Sequence, residues 1–271
     1  MTTRASHRLA NAKRRAWVTG ASTGIGAAFA RRLARDGFDL ALVARSRQRL
    51  QSLASELRAG NGISCDVVPA DLTQAEDLRG IEQLVADDAA LELMVNNAGF
   101  GTAGRFAELD PDREEEEIRL NVVALTRLTR AALPRLISHG RGGVINVSSL
   151  AAFQPAPLNA TYGATKAFVN SFTEALHEEL RGTGVHVQVL CPGFTRTEFQ
   201  DRAGIDASGI PSFAWMTPEA VVDASLAGLR RGDVVCVPGV ANRVVAATTA
   251  AVPRSVLRRI VGVAVRRMLD K

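Results

Sequence analysis

The stretch YGATK, Tyr162 to Lys166, holds the only tyrosine of a 271-residue chain. Among 33 Lys+Arg, only Lys13, Lys166 and Lys271 are lysines, so arginine is the default cation of this composition. Lysine differs chemically: its compact ammonium can be tuned in pKa, whereas guanidinium stays charged and planar. A phenol with the ordinary pKa of about 10 is a poor base at neutral pH, and a neighbouring cation lowers that value by stabilising the phenolate. A lysine at i,i+4 lies one helical turn onward on the same face. The lysine therefore reads as a chemical choice; the alternative is an incidental i,i+4 pair on a helix face.

A second stretch suits phosphate. VTGASTGIG places Gly20, Gly24 and Gly26 between a valine-rich run and a helical pattern, where the backbone must turn tightly and bring free amides and a positive helix end to a ligand. Ser22, Thr23 and Ile25 complete that loop. About 20 residues on, where a dinucleotide site presents its ribose reader, the sequence reads LVARS, with Ala44 and Arg45. A carboxylate there would bond a 2′-hydroxyl and repel a 2′-phosphate, whereas arginine offers a fork of donors to phosphate. Arg45 thus favours NADP(H) over NAD(H).

These groups need a scaffold. Short Val/Leu/Ile-rich runs (RAWVTG, DLALVAR, SCDVVPADL, LELMVNNAG, GGVINVSS, VHVQVLCPG and DVVCVPG) alternate with helical patterns from Arg15 to about Gly239. Strands that are apolar throughout are covered on both faces. The alternation predicts an α/β Rossmann-type fold, a doubly wound parallel sheet of seven strands in a single domain. The expected organisation is a flexible basic N-terminal arm (1–13), the catalytic domain (14–239) and an amphipathic helical extension of the same domain (240–271). The run EEEE, Glu114 to Glu117, falls in the first turns of a long helix and is expected to be a solvated face suited to the helix dipole.

Composition excludes several classes. With 46% hydrophobic and 23% charged residues the chain is ordinary globular material. The net charge of +5 is concentrated at the two ends, and only 5% of residues are aromatic, so no nucleic-acid partner is expected. Cys65, Cys191 and Cys236 are far apart and show no metal or redox spacing, and the four histidines are equally scattered. No metal site is expected, and a reducing, cytoplasmic setting is.

Five motifs in order, TGASTGIG, NNAG (Asn96 to Gly99), the serine thirteen residues before tyrosine, YGATK and CPGFTRT, resemble the short-chain dehydrogenase/reductase family in its short single-domain form. The resemblance implies that Tyr162 is the general acid toward a carbonyl, or the base in the reverse oxidation, and that Lys166 binds the cofactor ribose while holding charge near the phenol. It makes Ser149 the donor that polarises the substrate carbonyl, and Asn121 the residue holding a water that links lysine to solvent. Hydride would pass from the pro-S face of the nicotinamide. Further cofactor contacts implied are Asp71 and Leu72 near adenine, Asn97, Ala98 and Gly99 beside the adenosine ribose, and Pro192, Gly193, Thr195 and Thr197 around the carboxamide. The family commonly pairs subunits through the helices carrying Asn121 and Tyr162, so a homodimer or homotetramer is expected.

The segment EFQDRAGIDASGIPSFAWMTPEA carries Phe199, Ile210, Phe213, Trp215 and Met216, which suggests a lid over a hydrophobic substrate. The basic, apolar tail has two readings: packing against the domain or a sister subunit, or resting on an anionic membrane. The chain is therefore read as an NADP(H)-dependent oxidoreductase interconverting a lipophilic ketone and a secondary alcohol. A 3-oxoacyl thioester is the alternative substrate, and a non-catalytic NADP(H)-binding sensor is the competing reading.

Overall fold

The structure, a computed structural model, describes residues 14–204 and 211–269; the basic arm, Ile210 and Lys271 lie outside them. Seven strands form one parallel sheet in the order β3-β2-β1-β4-β5-β6-β7. They are β1 (Arg15–Thr19), β2 (Asp39–Ala44), β3 (Cys65–Pro69), β4 (Leu91–Asn96), β5 (Gly143–Val147), β6 (His186–Leu190) and β7 (Val235–Cys236). The final strand has only two residues, shorter than its apolar run suggests.

Strand alternation splits the core in two. Ala16, Val18, Leu40 and Leu42 point to one face, where they meet helix α1 (Gly24–Arg35), α2 (Arg47–Asn61) and, further along, α8 (Pro218–Arg231). Trp17, Ala41 and Val43 point to the other, toward α3 (Ala75–Asp87) and α5 (Leu125–His139). Because both faces are covered, neither can be polar, which is why the strands read as continuous apolar runs.

Helix α4 (Pro111–Ile118) runs into α5 through a single wide π turn, Arg119–Ala124, that contains Asn121. Helix α6 (Ala160–Glu179) carries YGATK. A buried polar ladder fastens these helices to the sheet. Asn96 and Asn146 are register partners on β4 and β5. The Asn96 amide donates to Asn146 Oδ1 and to Thr129 Oγ1 of α5, both at 2.9 Å, and the Asn146 amide donates to Thr173 Oγ1 of α6 at 3.0 Å. Hydrogen-bonded polar groups of this kind inside the protein fix helix position more sharply than apolar contacts alone.

After β6 come the short helix α7 (Phe199–Arg202), then α8, and after β7 the helices α9 (Val240–Ala251) and α10 (Arg254–Leu269). Ala246 and Leu257 are buried. Among the described residues no helix is long and apolar enough to cross a membrane.

Candidate active site

The strand order reverses between β1 and β4, and the crevice at the carboxyl ends of those strands is where open α/β sheets bind ligands. Gly20 and Gly24 adopt φ of 65° and 55°, left-handed values that favour glycine. Gly26 is required for a different reason: a Cβ there would stand 2.3 Å from the Gly20 carbonyl oxygen and 2.5 Å from Asn97 Nδ2. Thr23 leads into α1 without a side-chain cap, and the first turn has no acidic residue, so the helix end is left to an anion. Across the loop, Thr197 Cγ2 would meet a Cβ on Gly24 at 3.0 Å. An open cleft of about 530 Å³ runs from Gly24 and Arg31 past Thr197 and Arg196 to Trp215. It borders the phosphate loop and does not include Tyr162.

Thr19, which the motif reading passed over, ties the loop to β4. Its hydroxyl donates to Val95 O at 3.3 Å and accepts from the amides of Asn97 (2.9 Å) and Ala98 (3.0 Å). The Asn97 side chain returns a bond to Thr19 O at 2.9 Å. The signal was a buried hydroxyl directly before the first glycine.

Arg45 sits exposed just beyond β2, with no hydrogen bond or ion pair from the protein among the described residues. Asp71 Oδ1 accepts from Thr73 N (3.0 Å) and Thr73 Oγ1 (2.8 Å), while Leu72 is buried near Thr19 and Ala98. An open helix end, glycines that let backbone approach, and a free guanidinium with no carboxylate beside it fit a dinucleotide carrying an additional phosphate.

Around YGATK the groups converge. Lys166 is buried, and its ammonium donates to Val147 O at 2.9 Å. It lies 5.5 Å from the Tyr162 ring centroid. Ser149 hydrogen-bonds the Tyr162 phenol. Asn121, buried in the π turn, donates to Phe100 O at 2.8 Å and Thr165 Oγ1 at 3.1 Å, and its Oδ1 accepts from Phe100 N at 3.2 Å. A Cβ on Gly99 would lie 2.8 Å from Asn121 Oδ1 and 3.4 Å from Lys166 Nζ, so the loop after β4 passes directly over both. Ser148, the neighbour of Ser149, is spent on Lys166 O at 3.0 Å.

Burial pushes the Tyr162 phenol up to about 12, against the lowering pull of Ser149, and pushes the Lys166 ammonium down to about 8. Desolvation is the largest cause for both groups, and Ser149 supplies the one lowering pull on the phenol. A phenol in this state is a proton donor.

Phe199 of α7 and Gly101 pack against the Tyr162 ring. The Phe199 and Tyr162 ring centroids are 5.4 Å apart, and a Cβ on Gly101 would meet the Tyr162 ring at 2.9 Å. Trp215 pairs with Phe194 at 5.6 Å, whereas Phe213 is exposed. Thr195 is buried and bridges to Met216. Gly193, which follows Pro192, is covered by Asn242 of α9: a Cβ on Gly193 would lie 2.7 Å from Asn242 Nδ2. Burial pushes the Cys191 thiol up to about 12, which leaves it inert.

The run Glu114 to Glu117 is not the uniform solvated face expected. Glu115 is exposed, but Glu114 and Glu117 are buried. The physical reason is their i,i+3 spacing, which turns both inward to the loop after β4, where Thr102 donates to them.

A sequence model of the short chain dehydrogenase family matches residues 14–207. A short-chain dehydrogenase from Sphingobium yanoikuyae, solved with NADPH, is 40% identical with a TM-score of 0.81, over 88% of this chain and 93% of that one. A bulky-bulky ketone specific alcohol dehydrogenase from Comamonas testosteroni is 36% identical with a TM-score of 0.77, over 85% and 88%. A very-long-chain 3-oxoacyl-CoA reductase from Anas platyrhynchos is 32% identical over 82% of this chain and 72% of its own length.

Proposed function

We propose, for a chain that belongs to the short-chain dehydrogenase/reductase family of oxidoreductases, an NADP(H)-dependent interconversion of a lipophilic ketone and a secondary alcohol. The observation that carries this is the half-buried Tyr162, hydrogen-bonded by Ser149 with Lys166 buried close by, set beside the apolar ring of Phe199. A dinucleotide held by its phosphates at the Gly20–Gly26 loop would supply, from its nicotinamide, the hydride for the carbonyl carbon. Ser149 donates to the carbonyl oxygen and steadies its growing negative charge. Tyr162 delivers the proton, since a phenol held near 12 stays protonated at neutral pH. Lys166 holds positive charge beside it, and Asn121 fixes the loop at Phe100.

The cofactor-binding set proposed is Gly20, Ser22, Thr23, Gly24, Ile25, Gly26, Arg45, Asp71, Leu72, Asn97, Ala98, Gly99, Pro192, Gly193, Thr195 and Thr197, with Tyr162 and Lys166. Support for NADP(H) comes from the unpaired Arg45 and from the NADPH-bound relative. Support for a bulky ketone comes from Phe199, Phe194 and Trp215, and from the ketone-specific relative. A 3-oxoacyl thioester is the second reading, favoured by the acyl-CoA reductase relative.

Residues 14–239 form the catalytic unit in this reading, with 240–271 as its extension. Ile118, Val123 and Phe168, exposed on the Asn121 and Tyr162 helices, suit a second subunit. Free, buried Cys65, Cys191 and Cys236 suit a reducing cytoplasm. The test is NADPH oxidation across bulky ketones, steroids and 3-oxoacyl thioesters, with Tyr162→Phe as control. Turnover abolished in the variant supports the reading, and turnover that survives it removes Tyr162 as the proton donor.

A further inference from the structure

Two buried carboxyl groups stand outside the mechanism above. Glu114 and Glu117 lie on α4, about two turns and one turn before Asn121, and both reach the same hydroxyl. Thr102 Oγ1 stands 2.9 Å from Glu117 Oε2 and within hydrogen-bond reach of Glu114 Oε1, and the Thr102 amide donates to Glu117 Oε2 at 2.9 Å. A hydroxyl has one hydrogen to give. With both carboxylates ionised, one carboxylate oxygen would be set against a lone pair of that hydroxyl, and Glu117 would keep only the Thr102 amide as a donor if Glu114 took the hydrogen. Glu114 has the fuller set of donors, because its other oxygen accepts from Thr161 Oγ1. Glu117 is fully buried, and its Oε1 has no partner.

The placement matters because of what these bonds hold. Thr102 belongs to the loop whose Phe100 is gripped by Asn121 and whose Gly101 lies against the Tyr162 ring. Asn159, just before α6, donates to Thr102 O at 2.6 Å. Thr161 is the residue next to Tyr162, so the carboxyl pair bridges the loop and the helix that carries YGATK.

We infer that Glu114 and Glu117 hold one proton between them across Thr102, and that the ionisation of Glu117 positions the loop and sets the charge seen by Tyr162 and Lys166. This rests on the reductase reading for its consequence in catalysis, but not for the shared proton. The groups facing Glu117 are Glu114 on its own helix and Lys166 and Tyr162 on α6. Arg113 is turned away, over the Phe100 ring and paired with Glu116. Burial, with Glu114 adding to it, lifts the Glu117 carboxyl to about 7, and its negative charge raises both Tyr162 and Lys166. When Glu117 ionises, the site therefore gains a charge that keeps the phenol protonated and the ammonium charged, the states that carbonyl reduction uses. Glu117 is a positioning residue in this scheme.

The test needs no substrate. Infrared spectra of the full-length protein, titrated from acid to alkaline pH, would be compared for wild type, Glu117→Gln and Glu114→Gln. The expected result is a carboxylic-acid carbonyl band that persists in wild type and disappears as pH rises through about 7, and that Glu117→Gln lacks. Every carboxyl ionised by the ordinary range near pH ~4 to 5 would overturn the shared proton. In parallel, Tyr162 is the only tyrosine, so its phenolate absorbance after a stopped-flow alkaline jump reports that side chain alone. The midpoint should fall in Glu117→Gln, which keeps size and hydrogen bonding but cannot ionise. An unchanged midpoint would overturn the coupling. Both readouts hold whether or not any ketone is turned over, so failure of the reductase reading would be seen separately, in the NADPH assay.

Discussion

The ammonium nitrogen of Lys166 lies 5.5 Å from the centroid of the Tyr162 ring while donating to Val147 O at 2.9 Å. One buried cation is thus bonded to a structural carbonyl close to the Tyr162 ring, and it carries a cost in stability. With its folded pKa near 8 against an ordinary 10.5, Lys166 bears the full burial penalty below pH 8. As pH rises from 8 to 10.5 the folded state loses the proton first, and stability rises.

Replacing Lys166 by Met should therefore separate activity from stability. We expect kcat for ketone reduction to fall about 10²- to 10⁴-fold, the range for losing proton-transfer assistance. Stability at pH 7 should increase by roughly 1–3 kcal/mol, after subtracting the lost hydrogen bond, and that gain should shrink toward pH 10. Tm by calorimetry across this range, with kcat at pH 7, checks both halves.

Glu117 has the opposite pH sense. Its folded pKa of about 7 stands above the ordinary 4.5, so the folded state binds the proton more tightly and stability falls as pH rises between those values. Glu117→Gln should match wild type near pH 4.5 and exceed it above pH 7, by up to about 3 kcal/mol. A Tm difference that does not change with pH would contradict this.

Gly26 tests the cradle. An added methyl has only 2.3 Å to Gly20 O and 2.5 Å to Asn97 Nδ2, and backbone cannot swing aside as a side chain can. Gly26→Ala should cost about 1–3 kcal/mol, as overpacking does. NADPH affinity by fluorescence titration should drop with it. An unchanged affinity would mean that the glycine serves the turn alone.

How much of this was legible beforehand follows from the range of the forces involved. The β1–Gly20–α1 unit and the YGATK helix were readable because local rules set them: apolar runs for covered strands, glycine for left-handed turns, i,i+4 for a shared helical face. The burial of Glu114 and Glu117 was not, because four consecutive glutamates read as solvent-facing unless the loop holding Thr102 is already folded beneath them. Thr19 escaped for the same reason, since its partners Val95, Asn97 and Ala98 are distant in sequence. The direction of the Tyr162 shift required the depth of burial, which spacing does not contain.

In the proposed reading the cofactor preference rests on Arg45, an exposed side chain, which makes it easy to invert. Ala44→Asp combined with Arg45→Ile would exchange a phosphate fork for a carboxylate at the end of β2. The NADPH/NADH ratio of kcat/KM should swing from favouring NADPH to favouring NADH, with little change in Tm because Arg45 bonds nothing among the described residues. A ratio left where it was would assign phosphate recognition elsewhere.

Helix α9 reaches the site from behind. Asn242 donates to Pro238 O at 2.8 Å and fills the space against Gly193, on the loop proposed to receive the carboxamide. Ala246 of α9 and Leu257 of α10 are buried as well. Ending the chain after Gly239 should then lower Tm and weaken NADPH binding together, while Asn242→Ala should weaken binding several-fold, about 1 kcal/mol for one lost hydrogen bond, with a smaller change in Tm. If the truncated chain binds NADPH as tightly as the full one, the loop after β6 holds its shape without α9.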